Sequence, residues 1–93
     1  MTLDEFIDES IRRSRAKGYH PSIFIDMRQK FGAIAATKRL VETSEPQSGF
    51  KRLKQLGLLD WSLEAAVLKF PNEFPDKKTQ EYAKARLDGI FDA

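Results

Sequence analysis

The side chains able to do chemistry in this chain are few and scattered. His20 is the sole imidazole. A histidine general base needs a nucleophile or an orienting carboxylate, and no residue stands at a spacing that identifies either. Beside Pro21, His20 reads instead as a helix-start residue that caps the helix or packs on Tyr19. Asp4, Glu5, Asp8 and Glu9 form an acidic cluster of the oxygen type that holds hard cations. At these spacings, however, the carboxylates spread around a helix and meet basic partners one turn on, the pattern of a solvated helix start. The chain has no cysteine, no Gly-rich phosphate loop and no acid–base pair at a recognisable spacing. No catalytic residue, cofactor site or metal site is therefore assigned, and a non-enzymatic role is expected.

The bases carry more information. In the first helix Arg12, Arg13, Arg15 and Lys17 lie toward the C-terminal end, where the helix dipole favours cations. Lys51 and Arg52 are expected instead in the first turn of a fourth helix, with Lys54 close behind, and Lys77 and Lys78 in the first turn of a sixth. Cations at a helix start oppose the dipole by a few tenths of a kcal/mol each. Unpaired amides flanked by basic side chains can hold a phosphate. Lys51, Arg52, Lys54, Lys77 and Lys78 are accordingly the candidate nucleic-acid contacts.

The elements that must position these residues are all helical. A chain of 93 residues makes one domain, residues 1–93, with a modest core and no deep enclosed site. Its 41% apolar and 32% charged residues fit an ordered globular protein. Sixteen bases against fourteen acids leave a net charge of +2, which neither demands nor excludes nucleic acid. No apolar run reaches the roughly 18–20 residues of a membrane span, so no membrane partner is expected. The acidic start Met1-Thr2-Leu3-Asp4-Glu5 is unlike a signal peptide, and with no cysteine a cytoplasmic location is expected.

Apolar residues recur at helical spacing throughout, and period-two alternation is confined to Ile23-Phe24-Ile25. Thr2 to Glu5 is a capping box, followed by an inner face of Leu3, Phe6, Ile7 and Ile11 that Ser10 and Ser14 continue. Asp8 with Arg12 and Glu9 with Arg13 are expected i,i+4 pairs. Pro21 opens a second helix with Ile23, Phe24, Met27 and Phe31 inward, capped near His20 or Ser22. A third runs from Ala33 to about Thr43, its Ala33 and Ala36 allowing close approach. Residues 44–49 read as a loop, with the fourth helix from Ser48 burying Phe50, Leu53 and Leu56. Asp60 or Ser62 caps a fifth helix with Leu63, Ala66, Val67 and Phe70 inward. Residues 70–75 form a second loop docked by its two phenylalanines. Asp76 caps the last helix, expected to bury Tyr82 or Ala83, then Leu87, Ile90 and Phe91. Trp61 is expected to close the core. The reading is a single all-α domain of five or six short helices in an irregular orthogonal bundle, with Phe24, Phe31, Leu53, Leu56, Val67 and Leu87 in the core.

Several stretches between Gly18 and about Leu87 resemble a group of short bacterial all-helical proteins with no established activity. They are Gly18-Tyr19-His20-Pro21, Phe31-Gly32-Ala33, Gly49-Phe50 with Leu53, and Leu59-Asp60-Trp61-Ser62-Leu63-Glu64-Ala65. The resemblance covers about three quarters of the chain and implies a bacterial cytoplasmic origin. Its motifs are caps, helix stops and core positions, so it carries no functional residue across. The expected function is a non-enzymatic interaction module that binds another protein. The alternative is a nucleic-acid-binding accessory protein that uses basic helix N-termini.

Overall fold

A computed structural model describes residues 1–42 and 48–89. Among them are six α-helices and one 3-10 turn: α1 (Leu3–Ala16), α2 (Ser22–Phe31), α3 (Ala33–Val41), α4 (Ser48–Gln55), the turn Leu59–Trp61, α5 (Leu63–Lys69) and α6 (Lys77–Leu87). No strand occurs among the described residues, and none of their helices is long and apolar enough to cross a membrane. The Cα radius of gyration is 12.0 Å, close to the roughly 12 Å expected for a compact chain of this length.

The helix starts follow the local rules. Thr2 and Glu5 exchange hydrogen bonds as a full capping box, at 2.8 and 3.1 Å. Ser62, not Asp60, caps α5 by accepting from the Ala65 amide at 3.1 Å; Asp60 belongs to the 3-10 turn. Asp76 caps α6 through the Lys78 amide. Pro21 sits at the N-cap of α2, which has no side-chain cap. His20 is used elsewhere: its Nδ1 accepts from Arg15 Nε at 2.9 Å. The α2–α3 corner turns at Gly32, whose φ of +85° is open to glycine at little steric expense.

The core is one cluster of Leu3, Phe6 and Ile7 from α1, Phe24, Ala36, Val41, Ala66, Val67 and Ala83, with Phe74 from the loop before α6. Ala36, Ala66 and Ala83 are wholly buried; with no side chain beyond Cβ they let α3, α5 and α6 close on one another. The most extensive packing is α5 on α6 and α2 on α3. Phe74 docks its loop as expected, and Gln80 Nε2 donates to its carbonyl at 2.7 Å.

Two inner faces differ from the pattern read off the sequence. On α2 only Phe24 is buried, while Ile23 and Phe31 are 66% and 44% exposed. Phe31 is the last residue of its helix, so its ring stands at the Gly32 corner, with the Arg39 guanidinium 4.0 Å above it. On α6 the buried residues are Thr79, Ala83 and Arg86, with Tyr82 and Leu87 only half-buried. Leu56 is also half-buried. The expected positions Thr43, Ile90 and Phe91 and most of the 44–49 loop lie outside the described residues. Glu9 pairs with Arg12 and Arg13, whereas Asp8 joins Asp4 in holding Arg28 of α2 at 2.8 and 3.0 Å. The surface acids of α1 thus tether α2, a link no single-helix pairing rule contains.

Candidate functional site

Helix α4 meets the rest of the domain differently from the other helices. Its main packing partner is the 3-10 turn, and its Phe50 and Leu53, with Leu58 beyond, are buried without joining the core cluster. Between α4 and α1 lies a cavity of about 220 Å³. Its walls bring together Phe6, Ile7, Ser10, Ile11 and Ser14 of α1, Phe24 of α2, Phe50 and Leu53 of α4, and Trp61, with Glu64 of α5. His20, Ser22 and Ile23, which are exposed, stand at its edge.

The cavity exists because α1's inner face changes character along its length. Leu3, Phe6 and Ile7 fill the core at its start. One and two turns later Ser10 and Ser14 occupy the same stripe with side chains too small to reach α4. Both hydroxyls are engaged with backbone: Ser14 Oγ donates to the Ser10 carbonyl at 2.8 Å and Ser10 Oγ to the Trp61 carbonyl at 2.5 Å. The second bond ties α1 to the 3-10 turn. The Trp61 ring is half-buried, stacked on Phe6 at 4.9 Å between centroids and covered by the Arg13 guanidinium at 4.4 Å. Lys17 Nζ reaches the Leu56 carbonyl at 3.1 Å, a second polar tie between α1 and the α4 end.

One wall residue is a buried acid. Glu64 is 4% exposed and accepts from Arg86 Nη1 at 2.9 Å; the same nitrogen donates to the Leu40 carbonyl at 2.9 Å. Burial pushes the Glu64 carboxyl above the ordinary carboxylate range, and the Arg86 hydrogen bond and backbone N–H offset part of that rise. Arg86 is 2% exposed, so the pair joins α5, α6 and α3 in the interior. A buried pair of this kind is strong only while both members remain. Thr37 Oγ1, also buried, has no hydrogen-bond partner among the described residues. The signal for the cavity lay in Ser10 and Ser14 on an otherwise apolar stripe. Glu64 and Arg86 gave none, because charged residues read as surface by default.

The five bases named as nucleic-acid contacts are all exposed. Lys77 and Lys78 do open α6, but the carboxylate of Asp76 already accepts from the Lys78 amide at 3.0 Å, so this helix start holds its own anion. In α4 only Lys51 precedes the last turn. Arg52 and Lys54 fall within it, where the dipole favours them, so Arg52 does not stand in the first turn as expected. Arg52 also donates to Gln55 Oε1 at 3.3 Å. α6 packs mainly on α5 and α3, and α4 on the 3-10 turn, so the two basic groups stand on elements with little mutual contact.

A second surface feature is apolar. Phe31 and Ile34 flank the Gly32 corner, are 44% and 41% exposed, and line one shallow groove with Arg28, Ala33 and Lys38. Comparison with known proteins gives no match, whether to a family model, to a curated protein or to a solved structure.

Proposed function

We propose that this domain is a non-enzymatic module that binds another protein through the α2–α3 corner. The observation that supports the reading is the exposure of Phe31 and Ile34 side by side on one groove. Large apolar side chains that share an exposed patch, with cations at the rim, are the usual composition of an interface centre. Gly32 keeps the patch free of side-chain bulk, and the Arg39 guanidinium lies 4.0 Å over the Phe31 ring.

The test is capture from an extract of the native host by wild-type chain and by a Phe31→Ala/Ile34→Glu variant. The variant is expected to stay folded, since Phe31→Ala gives up an exposed ring and one cation–π contact, together about 1 kcal/mol. Partners held by wild type in both low and high salt, and lost with the variant, support the reading. Capture that is equal for the two chains, or absent for both, overturns it. Sedimentation of the purified chain separates self-association from a different partner.

The nucleic-acid reading stands second, supported by the exposure of Lys51, Arg52, Lys54, Lys77 and Lys78. Phosphate-driven binding collapses with salt, whereas an apolar interface persists. Titration of labelled duplex and single strand at two salt concentrations therefore separates the two readings. A Lys51→Ala/Arg52→Ala/Lys54→Ala variant that binds as wild type does would end the second one.

A further inference from the structure

The cavity between α1 and α4 shares no residue with the α2–α3 corner, and its shape and chemistry stand apart from that reading. Its volume is about 220 Å³. An apolar cavity of roughly 150 Å³ holds benzene, so in proportion this one holds about nine heavy atoms. Five aromatic side chains, Phe6, Tyr19, Phe24, Phe50 and Trp61, are in its lining, a surface suited to edge and offset contacts with another ring.

Three polar groups of its lining, Ser10, Ser14 and Glu64, have the same sense. Ser14 is 2% exposed and has given its hydroxyl proton to the Ser10 carbonyl; Ser10 has given its own to the Trp61 carbonyl. A serine hydroxyl has one proton and two lone pairs, so each now faces a guest as an acceptor. Glu64 is likewise accepting, from Arg86. That wall matches a guest with an N–H or O–H, while the Tyr19 hydroxyl in the same lining can donate as well as accept. An anionic guest meets the carboxyl of Glu64. Exposed His20, Ser22 and Ile23 at the edge mark the side of entry.

We propose that this cavity is a binding site for a small neutral aromatic molecule of one ring or two fused rings bearing a single hydrogen-bond donor. Indole is the probe of matching size and chemistry, and indene, with CH₂ in place of N–H, is its isostere. Titrating indole into the isotope-labelled chain should give saturable NMR shifts centred on Ser10, Ser14, Gly49 and the Trp61 side chain, with a rise in melting temperature. Indene should bind about five- to tenfold more weakly, the loss of one hydrogen bond. Ile11→Phe adds a ring to the wall without removing a hydrogen bond and should abolish the shifts; Ser14→Leu fills the buried end at the loss of the Ser14–Ser10 hydrogen bond and should abolish them too. Indole that gives no saturable shift leaves a cavity that holds water only and overturns the proposal. So does indene that binds as tightly as indole, or a folded filled variant that binds indole as wild type does. Should neither variant fold, the indole-to-indene ratio on wild type decides.

Discussion

The α5–α6 side and the α4 side of this domain are both lined with buried apolar residues, yet they are built to different tolerances. On the first, Ala66, Val67, Phe74 and Ala83 are wholly buried in one continuous cluster with α1 and α3, and the Glu64–Arg86 pair is locked among them. On the second, Phe50 and Leu53 are buried but face a cavity across from Ser10 and Ser14. Polar ties, Ser10 to the Trp61 carbonyl and Lys17 to the Leu56 carbonyl, do part of the work that packing does elsewhere. Burial of a residue therefore does not measure how densely it is packed. The dense side supplies stability, because dispersion contacts and complete desolvation both scale with close packing. The open side has space to give to a guest.

The sharpest way to break this contrast is to split the buried ion pair. Arg86→Met leaves Glu64 buried without its partner and should cost about 3–5 kcal/mol at neutral pH. Adding Glu64→Leu to the same chain should recover most of that loss, because a desolvated pair is often matched by apolar residues of similar volume. Urea unfolding of the single and double variants checks both. Equal stability of the two would mean that the pair is not the interior contact described above.

Two phenylalanines weigh the sides directly. Phe74→Ala, on the dense side, should cost about 3–5 kcal/mol. Phe50→Ala, whose ring already borders empty space and has fewer neighbours to lose, should cost about 2 kcal/mol. Midpoints that fall in the reverse order would show that the α4 side carries the fold.

The smallest effect is one of pH. The carboxyl of Glu64 is raised above its ordinary value of 4.5 by burial, so between 4.5 and that raised value the folded chain holds more protons than the unfolded. Its contribution to stability is thus largest at low pH, falls as pH rises through this window, and is level above it. Exposed Glu9 is the opposite case: hydrogen bonds from Arg12 and Arg13 lower its carboxyl to about 2, so its contribution is present above 4.5 and lost as pH falls through about 2. Unfolding midpoints of wild type and Glu64→Gln measured from pH 3 to 8 should diverge with that sign. Parallel curves would place Glu64 in contact with water.

Much of the architecture is written locally. The Thr2–Glu5 box, the Ser62 and Asp76 caps, the glycine stops and the apolar stripes each depend on residues within a turn of one another, so they can be read without knowing the fold. The same holds for the expectation that Phe24, Leu53 and Val67 are buried. Phe31 fails because periodicity says which face a residue is on, not whether the neighbouring layer extends that far. Arg86 and Glu64 carry no signal in the sequence for a related reason: nothing on either helix alone marks them as buried, and only their meeting across α5 and α6 makes burial tolerable.

The sequence by itself determined that this chain is helical, where most of its helices begin and end, and which stripe of each is apolar, since these are set by interactions a few residues long. Only the tertiary structure decided that Ser10 and Ser14 face α4 across open space, that Asp4 and Asp8 hold Arg28, that Arg86 reaches Glu64 and the Leu40 carbonyl, and that Phe31 and Ile34 stay at the surface. Those outcomes depend on distances between residues far apart in the chain, which local spacing does not encode.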